Sequence, residues 1–177
     1  MRKNRLLQNG AEYHVTAKIN RNEMLFAPEK DKELFLIILK RAKKRYQFQI
    51  RNFCLMNNHI HLLIKPGEGE SLSAIMQWIL SVFAMRWNKM HTMSGHVWGE
   101  RFFSRIINGV VDSLRVFMYI DDNPVNARLI EHSWEWKHGG LWHHQKGWTD
   151  IVEKPGPFIL YFLPEHSITA DIIQKKY

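Results

Sequence analysis

The chain has 177 residues, of which 45% are hydrophobic and 12% aromatic, so it can build a buried core and is neither disordered nor of low complexity. The formal net charge is +8, and residues 1–65 carry all of the excess, with 14 basic against 5 acidic residues. The single cysteine, Cys54, excludes an internal disulfide and a thiolate-rich zinc site, and no apolar run approaches the roughly 20 residues of a membrane helix, so we expect a soluble, cytoplasmic protein.

The first two predicted elements are a strand and a helix. Apolar and polar residues alternate over residues 12–20, which indicates a half-buried strand. Residues 31–47 are predicted to form a helix whose apolar residues lie in one stripe, with Asp31 as the N-cap. The end of this helix carries a basic run that attracts nucleic acid, although it could also be a solvated helix end. Because Arg2, Lys3 and Arg5 are basic too, we favour nucleic-acid binding. The run comprises Lys40, Arg41, Lys43, Lys44 and Arg45.

A pair of strands follows the helix. Residues 48–56 and 59–65 are short, mostly apolar runs that end at a proline and two glycines. The Asn57-Asn58 pair between them suits a tight hairpin, because Asn tolerates a positive φ. The sequence therefore predicts two antiparallel neighbours at this point of the fold.

The second half of the sequence predicts a helix, a strand and a further helix. The first of these helices begins at an N-cap, Ser71 or Ser73, and has apolar side chains at helical spacing. A strand over residues 98–107 comes next. The last helix is predicted to be capped by Asp112 and to end ahead of Pro124, since the residue before a proline avoids helical angles.

The order strand, helix, strand, strand, helix, strand is that of a split βαβ, or ferredoxin-like, α+β fold. We expect an antiparallel sheet with the helices packed on one face. No linker divides the chain, so residues 1–130 are expected to form one domain on which a C-terminal extension, residues 131–177, packs. The extension is rich in Trp and His, which we expect to pack against the sheet, although they could also form a stacking platform for unpaired bases.

A pair of histidines, His59 and His61, lies within a predicted strand. The two-residue period of a strand aims both imidazoles at one face and Ile60 at the other. Two such imidazoles can share one divalent ion if their rings lean together. Taken alone, two histidines on an exposed sheet face are the simpler interpretation of this pattern.

A tyrosine and an asparagine, Tyr119 and Asn123, stand four residues apart in the last predicted helix. They therefore share one face of it. The amide oxygen of Asn123 can complete a metal site while the phenol stands beside it. Alternatively, Tyr119 is a core residue, and Asn123-Pro124 are the N-cap and first turn of another short helix.

Considered together, these segments resemble a known protein family. The two main stretches are LMNNHIHLLI at residues 55–64 and YIDDNPVNARLI at residues 119–130, with YHVT at residues 13–16 and GHVW at residues 95–98 in support. They are similar to the single-tyrosine DNA transposases of the HUH nuclease superfamily. Within it, the resemblance is to the IS200-like branch associated with repetitive extragenic palindromes (REP), and it covers about residues 10–132.

The resemblance implies a ferredoxin-like fold and a set of site residues. His59 and His61 would bind a catalytic Mg²⁺ or Mn²⁺, Asn123 would be the third metal ligand, and Tyr119 would be the nucleophile that forms a 5′-phosphotyrosine. The implied activity is nicking and joining of single-stranded DNA beside hairpins, by a catalytic domain over residues 1–130. Related enzymes are monomers or homodimers that exchange their tyrosine helices, so a homodimer is one expectation here.

The sequence departs from the family pattern at three positions. Asn57 stands where proline is common, which we expect to be harmless in a turn. Asn126 replaces a common Lys or Arg, and Arg128 replaces a frequent glycine. These two changes could alter a DNA contact but leave the core chemistry intact.

Two arginines and two rival functions complete the expectations. Arg101 and Arg105 lie on the predicted strand 98–107 and could hold phosphate, although ordinary surface ion pairing is equally compatible with them. One rival function is a domesticated module that binds a DNA or RNA hairpin without cutting it. The other is a metal-dependent phosphohydrolase in which water is the nucleophile and Tyr119 is structural.

Overall fold

The computed structural model describes residue 8 and residues 10–167. These residues form four strands and five α-helices, joined by short 3₁₀ turns. The elements in chain order are β1 (Tyr13–Lys18), α1 (Glu29–Arg45), β2 (Phe48–Leu55), β3 (His59–Pro66), α2 (Leu72–His91), β4 (Phe103–Ile106), α3 (Gly109–Asn126), α4 (Gly140–Gln145) and α5 (Pro157–Phe162). Within the described part of the chain, no helix is both long and apolar enough to cross a bilayer.

The four strands form one sheet in the order β2-β3-β1-β4, and all neighbours are antiparallel. Each helical crossover, through α1 and α2, returns the chain to a strand that is not its hydrogen-bonded neighbour. This is the split βαβ arrangement. The predicted α+β, ferredoxin-like fold is therefore confirmed.

Helices α1 and α2 cover one face of the sheet. The inward side chains of β3, Ile60, Leu62 and Ile64, join those of β1 in a core that also contains Phe35 of α1 and Phe83 of α2. All five side chains are fully buried. Because successive side chains of a strand point to opposite faces, these apolar residues determine the face of the sheet on which α1 and α2 pack.

Helix α3 packs on the opposite face, so the expectation of helices on one face is wrong for this element. Phe117 and Ile120 of α3 form a second buried cluster with Cys54 of β2 and Leu63 of β3. Leu63 alternates with Leu62 and therefore points away from α1 and α2. Helix α3 therefore buries its apolar face against this second face of the sheet. The histidines of β3 lie on the same face.

Three predicted helix ends differ from the structure. Asp31 lies inside α1, after an N-cap at Pro28, and its buried carboxylate accepts a hydrogen bond from His91 of α2 at 2.7 Å. Asp112 lies in the first turn of α3, whose N-cap is Asn108. Pro124 lies within the last turn of α3, so no new short helix begins there. By contrast, Ser71 caps α2 as predicted, accepting from the Ala74 amide.

The predicted strands are largely confirmed, with two differences. The last strand, β4, spans only Phe103–Ile106, and Trp98 makes an isolated bridge with Ile19 instead. The hairpin between β2 and β3 turns at Asn57 and Asn58 without a positive φ at either residue. The side chain of Asn57 accepts a hydrogen bond from Lys32 of α1 at 3.0 Å, so it fastens the turn to a helix.

The described part of the C-terminal extension, residues 131–167, contacts β2 and α3. The backbone of Leu55 donates to the carbonyl of His138, and Cys54 bridges to Gly139. A side chain at Gly140 would collide with Asn52, so glycine is required for this approach. The extension therefore runs along the edge strand β2 and reaches both faces of the sheet, with Ile151 in the core of α1 and α2 and Ile159 in the cluster of α3. Residues 168–177 lie outside the described residues.

Candidate active site

The candidate site begins with polar side chains on two neighbouring strands. β1 pairs with β3 so that Thr16 lies opposite His61 and Lys18 opposite His59. Residues that oppose each other in an antiparallel pair project to the same face. His14 lies on that face too, two residues before Thr16. The strand register thus gathers three imidazoles on the face that α3 covers.

Helix α3 brings Tyr119 and Asn123 to these histidines. The Tyr119 ring lies with its centroid 5.4 Å from that of His61 and 5.7 Å from that of His14, edge-on to both. The side chain of Asn123 donates to the Tyr119 carbonyl at 2.5 Å, one helical turn back. The Asn123 side chain also lies close to His59 and His61, where it opposes the lowering of their pKa values. The structure therefore unites the four residues that the sequence singled out.

The hydrogen bonds of the two histidines are compatible with the same tautomer in each ring. Nδ1 of His61 lies 2.9 Å from Nε2 of His14 and 3.2 Å from the hydroxyl of Thr16. Nδ1 of His59 lies 2.6 Å from the side-chain oxygen of Asn58. A proton on each Nδ1 satisfies these contacts and leaves the lone pair on Nε2. In metal sites, a second partner of this kind fixes the tautomer and the ring orientation.

All three imidazoles are neutral at physiological pH. Burial lowers the pKa of His61 to about 3, and the neighbouring His59, His14 and Lys18 add to this effect. Burial and the nearby Arg105 lower the pKa of His14 to about 4. Burial and Lys18 also lower the pKa of His59. Neutral imidazole is the form that binds a metal ion.

The donor set fits a divalent cation. Nε2 of His61 is buried and has no hydrogen-bond partner, which is costly unless a ligand satisfies it. The candidate ligands are two imidazoles and one amide. Groups of three or more His, Cys, Asp or Glu in a metal-binding arrangement do not occur among the described residues, so any metal site here depends on Asn123. An amide oxygen and phosphate oxygens suit Mg²⁺ or Mn²⁺, whereas imidazoles prefer softer ions, so this donor set favours Mn²⁺ over Mg²⁺.

A solvent-accessible cavity of about 490 Å³ opens onto this set. Tyr119 borders it with 49% of its surface exposed, so the phenol can meet a large substrate. Phe103 of β4 borders it as well. The other lining residues are Thr16, Lys18, Asn22, Asn58, His59 and His61.

The basic run of α1 lies elsewhere. α1 packs on the sheet face opposite the histidines. Lys40 pairs with Asp150, and Lys43 pairs with Glu153 at 2.5 Å, so the extension neutralises two of the five cations. Arg45 lies over the rings of Tyr46 and Trp78, and Arg41 and Lys44 are exposed. The basic residues 2, 3 and 5 lie outside the described residues. Nucleic-acid binding by this run stays a prediction.

The two arginines of the predicted strand 98–107 have different surroundings. Arg105 lies on the histidine face, opposite His14, and forms a two-point ion pair with Asp112 of α3 at 2.8 and 3.0 Å. That pairing lowers the pKa of Asp112 and joins β4 to the start of α3. Arg101 is exposed beside the candidate site. Of the two, Arg101 is the one whose charge remains free for a phosphate.

His14 is the site residue that the sequence analysis missed. Its position on the polar side of the first predicted strand was visible, as was its place in the YHVT segment. Its contact with His61 depends on the register between β1 and β3, which those local patterns do not specify.

Comparisons with known proteins agree with this geometry. Residues 8–123 match the family model described as "Transposase IS200 like". The chain belongs to the IS200-like transposase family. The family match spans β1 to the last turn of α3, and so contains His59, His61, Tyr119 and Asn123. The family predicted from the sequence is confirmed.

One solved transposase structure shares the fold of this IS200-like transposase. A REP-associated tyrosine transposase bound to a REP hairpin superposes with a TM-score of 0.70 at 17% identity, over 86% of this chain and 88% of that one. A putative transposase from Deinococcus radiodurans R1 gives a TM-score of 0.49 at 16% identity, over 69% of this chain and 97% of that one. No curated protein matches the chain significantly.

Proposed function

We propose that this transposase nicks and rejoins single-stranded DNA with Tyr119 as its nucleophile, in a reaction that depends on a divalent metal ion. One observation carries the proposal: the exposed phenol of Tyr119 stands edge-on to His61, whose buried Nε2 lacks a partner. A nucleophile beside unsatisfied metal-ligand atoms is the arrangement that phosphodiester transfer requires.

His59, His61 and Asn123 would hold the metal ion. When bound, Mg²⁺ or Mn²⁺ would neutralise the charge that develops on the scissile phosphate. With protons on Nδ1 donated to His14, Thr16 and Asn58, the Nε2 atoms of both imidazoles would be free for the metal ion. Asn123 also holds the turn of α3 that carries Tyr119, through the Tyr119 carbonyl.

The chemistry of Tyr119 accounts for both cutting and joining. Its Oη forms a bond to phosphorus while the bond from phosphorus to the 3′ oxygen breaks. The phenolic proton is lost and the departing 3′ oxygen gains a proton, which leaves a 5′-phosphotyrosine and a free 3′ hydroxyl. The new ester retains the energy of the phosphodiester, so a second 3′ hydroxyl can reverse the step without ATP.

A single chain suffices for this site. Tyr119 and His61 approach each other within one molecule, with ring centroids 5.4 Å apart. Exchange of tyrosine helices in a homodimer is therefore not needed to bring the nucleophile to the histidines. We propose a site in which one chain supplies every residue, whatever the oligomeric state.

The proposed substrate is single-stranded DNA that lies beside a hairpin. Support comes from the family and from the structural neighbour that was solved with a REP hairpin. Lys18 in the cavity lining and Arg101 in an adjoining pocket are exposed cations suited to a phosphate backbone.

The test uses hairpin DNA with an unpaired flank, taken from beside the gene and labelled at either end. Each form is incubated with Mg²⁺ or Mn²⁺ and run on a denaturing gel. We expect a protein–DNA adduct that retains the fragment downstream of the cut and is lost in Tyr119→Phe and His59→Ala. Tight hairpin binding without an adduct would favour a binding module instead. Cleavage that survives Tyr119→Phe would favour hydrolysis by water.

A further inference from the structure

A second groove adjoins the candidate active site. Its volume is about 420 Å³, and it shares Thr16, Lys18, Asn22 and Phe103 with the cavity that contains Tyr119. A substrate lying in the cavity would therefore pass into the groove without leaving the surface. Arg21, Glu100 and Arg101 are among the residues that line it further out.

The groove is held open by paired backbone segments. The Asn20 amide donates to the Val97 carbonyl at 2.8 Å, and the Gly99 amide donates to the Lys18 carbonyl at 3.1 Å. A side chain at Gly99 would come within 3.2 Å of the Asn20 Cα, so glycine permits this approach. These bonds fix the turn after β1 against the segment before β4. The groove is thus a defined feature of the fold.

The backbone at the rim of the groove is strained. Arg21 and Asn22 both have a left-handed conformation, with φ of 53° and 54°. Side-chain-bearing residues adopt this conformation at a cost, and such strain is often found at binding sites. Both of these strained residues, Arg21 and Asn22, line the groove.

The charge of the groove suits a polyanion. Lys18, Arg21 and Arg101 are exposed and form no ion pair with another residue in the described part of the chain. Glu100 is the one acidic residue in the lining. This differs from the basic run of α1, where acidic residues of the extension pair with two of the lysines.

An aromatic ring separates the groove from the cavity. Phe103 stands on the edge strand β4, directly opposite Thr16, and 64% of its surface is exposed. It makes no ring contact with another aromatic residue among those described. Exposed aromatic rings between cations are the usual platform on which proteins stack unpaired bases.

We propose that this groove binds the unpaired nucleotide next to the scissile phosphate, with its base stacked on Phe103 and its phosphates against Lys18, Arg21 and Arg101. The proposal rests on the proposed function, since it takes the phosphate to be attacked by Tyr119. It adds a nucleotide-binding subsite that is separate from the metal ligands and from the nucleophile. Because every base has an apolar face, the subsite requires an unpaired base and tolerates its identity.

The test measures binding without chemistry. Tyr119→Phe protein is titrated, without divalent metal, into thymidine decanucleotides that carry 2-aminopurine at one position, moved stepwise along the strand. We expect one or two positions at which binding quenches the 2-aminopurine fluorescence through stacking. Adding Phe103→Leu should remove this quenching and weaken binding at least about fivefold, whereas Phe103→Trp should retain both. Tyr161→Leu, at a tyrosine that is 80% exposed on α5, is the matched control and should change neither.

The phosphate contacts have their own readout. Arg21→Gln and Arg101→Gln should each reduce the slope of log affinity against log salt by about 0.7, the value for one contact to a single strand. Unchanged quenching and affinity in Phe103→Leu, or unchanged slopes in both arginine variants, would overturn the subsite. Stacking on Phe103 in a protein that never forms an adduct would instead overturn the proposed function and leave the subsite intact.

Discussion

Nε2 of His14 lies 2.9 Å from Nδ1 of His61, and the two rings stack with their centroids 5.1 Å apart. His14 is neutral because burial lowers its pKa to about 4, so it can accept the proton on Nδ1 of His61. This leaves the Nε2 lone pair of His61 available to a metal ion. His14 therefore acts as a positioning residue that sets the tautomer of a proposed ligand.

Replacing His14 should weaken metal binding before any DNA is present. We expect His14→Leu to lower the Mn²⁺ affinity by about tenfold to a hundredfold, because the partner of a metal-binding histidine sets its orientation. His14→Gln keeps an acceptor and should recover most of the loss. Titration calorimetry with Mn²⁺ measures both. Equal affinities for wild type and His14→Leu would show that His14 does not orient His61.

Asp121 on α3 and His166 in the extension form a buried pair with 2.6 Å between Oδ2 and Nε2. Asn52 of β2 donates to the other oxygen of Asp121, and His144 lies 2.6 Å from His166, Nδ1 to Nδ1. Removing one partner leaves a buried polar group of the other without its hydrogen bond. We therefore expect Asp121→Ala to cost about 1–3 kcal/mol in the free energy of unfolding, measured with urea.

The double variant separates the pair from its neighbours. If the two residues act together, Asp121→Ala in a His166→Ala background should cost much less than it does alone. Additive losses would mean that Asp121 is held mainly by Asn52. The first outcome would show that the extension stabilises the helix that carries Tyr119.

Arg128 occupies the left-handed position that ends α3, with φ of 55°. Its amide donates to Val125 and that of Leu129 to Pro124, which is a Schellman motif. Glycine adopts this conformation without the steric cost of a Cβ. Arg128→Gly should therefore stabilise the protein by about 1 kcal/mol, visible as a higher melting temperature. A lower melting temperature would mean that the arginine side chain makes a contact worth more than the strain.

Acid should destabilise the extension through its buried histidines. Burial lowers the pKa of His143 to about 4, and burial and His166 lower that of His144. Both pKa values lie below the ordinary histidine value of 6.5. Below that pH, the unfolded chain therefore binds more protons than the folded chain, which favours unfolding. The contribution of these two histidines to stability should be fully present above about pH 6.5 and should be lost progressively towards pH 4.

Melting temperatures between pH 7.5 and 4.5 measure this loss. His143→Phe removes one titrating group, so its curve should be flatter whatever its absolute stability. Lys146→Gln, a change beside α4 that removes no histidine, is the control and should keep the wild-type slope. A variant curve parallel to that of the wild type would exclude His143 as a source of the acid sensitivity.

Local patterns in the sequence predicted the order of strands and helices and the pairing of Tyr119 with Asn123. Alternation on β3 and a spacing of four on α3 are fixed by backbone geometry, so no distant contact was needed. The same reasoning put His59 and His61 on one face, where the structure has them.

Features that depend on distant contacts could not be predicted. The carboxylate of Asp31 is buried against a partner 60 residues away, His91. The contact of His14 with His61 depends on strand register, and the Asp121–His166 pair depends on where the extension packs. Pro124 lies in the last turn of α3 although it has no amide proton to donate to the carbonyl one turn earlier, so the local rule placed the end of the helix too early.

The central claim, that Tyr119 is the nucleophile, is tested most directly by locating the covalent bond. Protein incubated with hairpin DNA and Mn²⁺ is digested with nuclease and protease, and the peptides are sequenced by mass spectrometry. The proposal predicts a 5′-linked nucleotide on Tyr119 and an unmodified Tyr161, which is more exposed. A nucleotide on another residue, or cleaved DNA with no modified peptide, would contradict it.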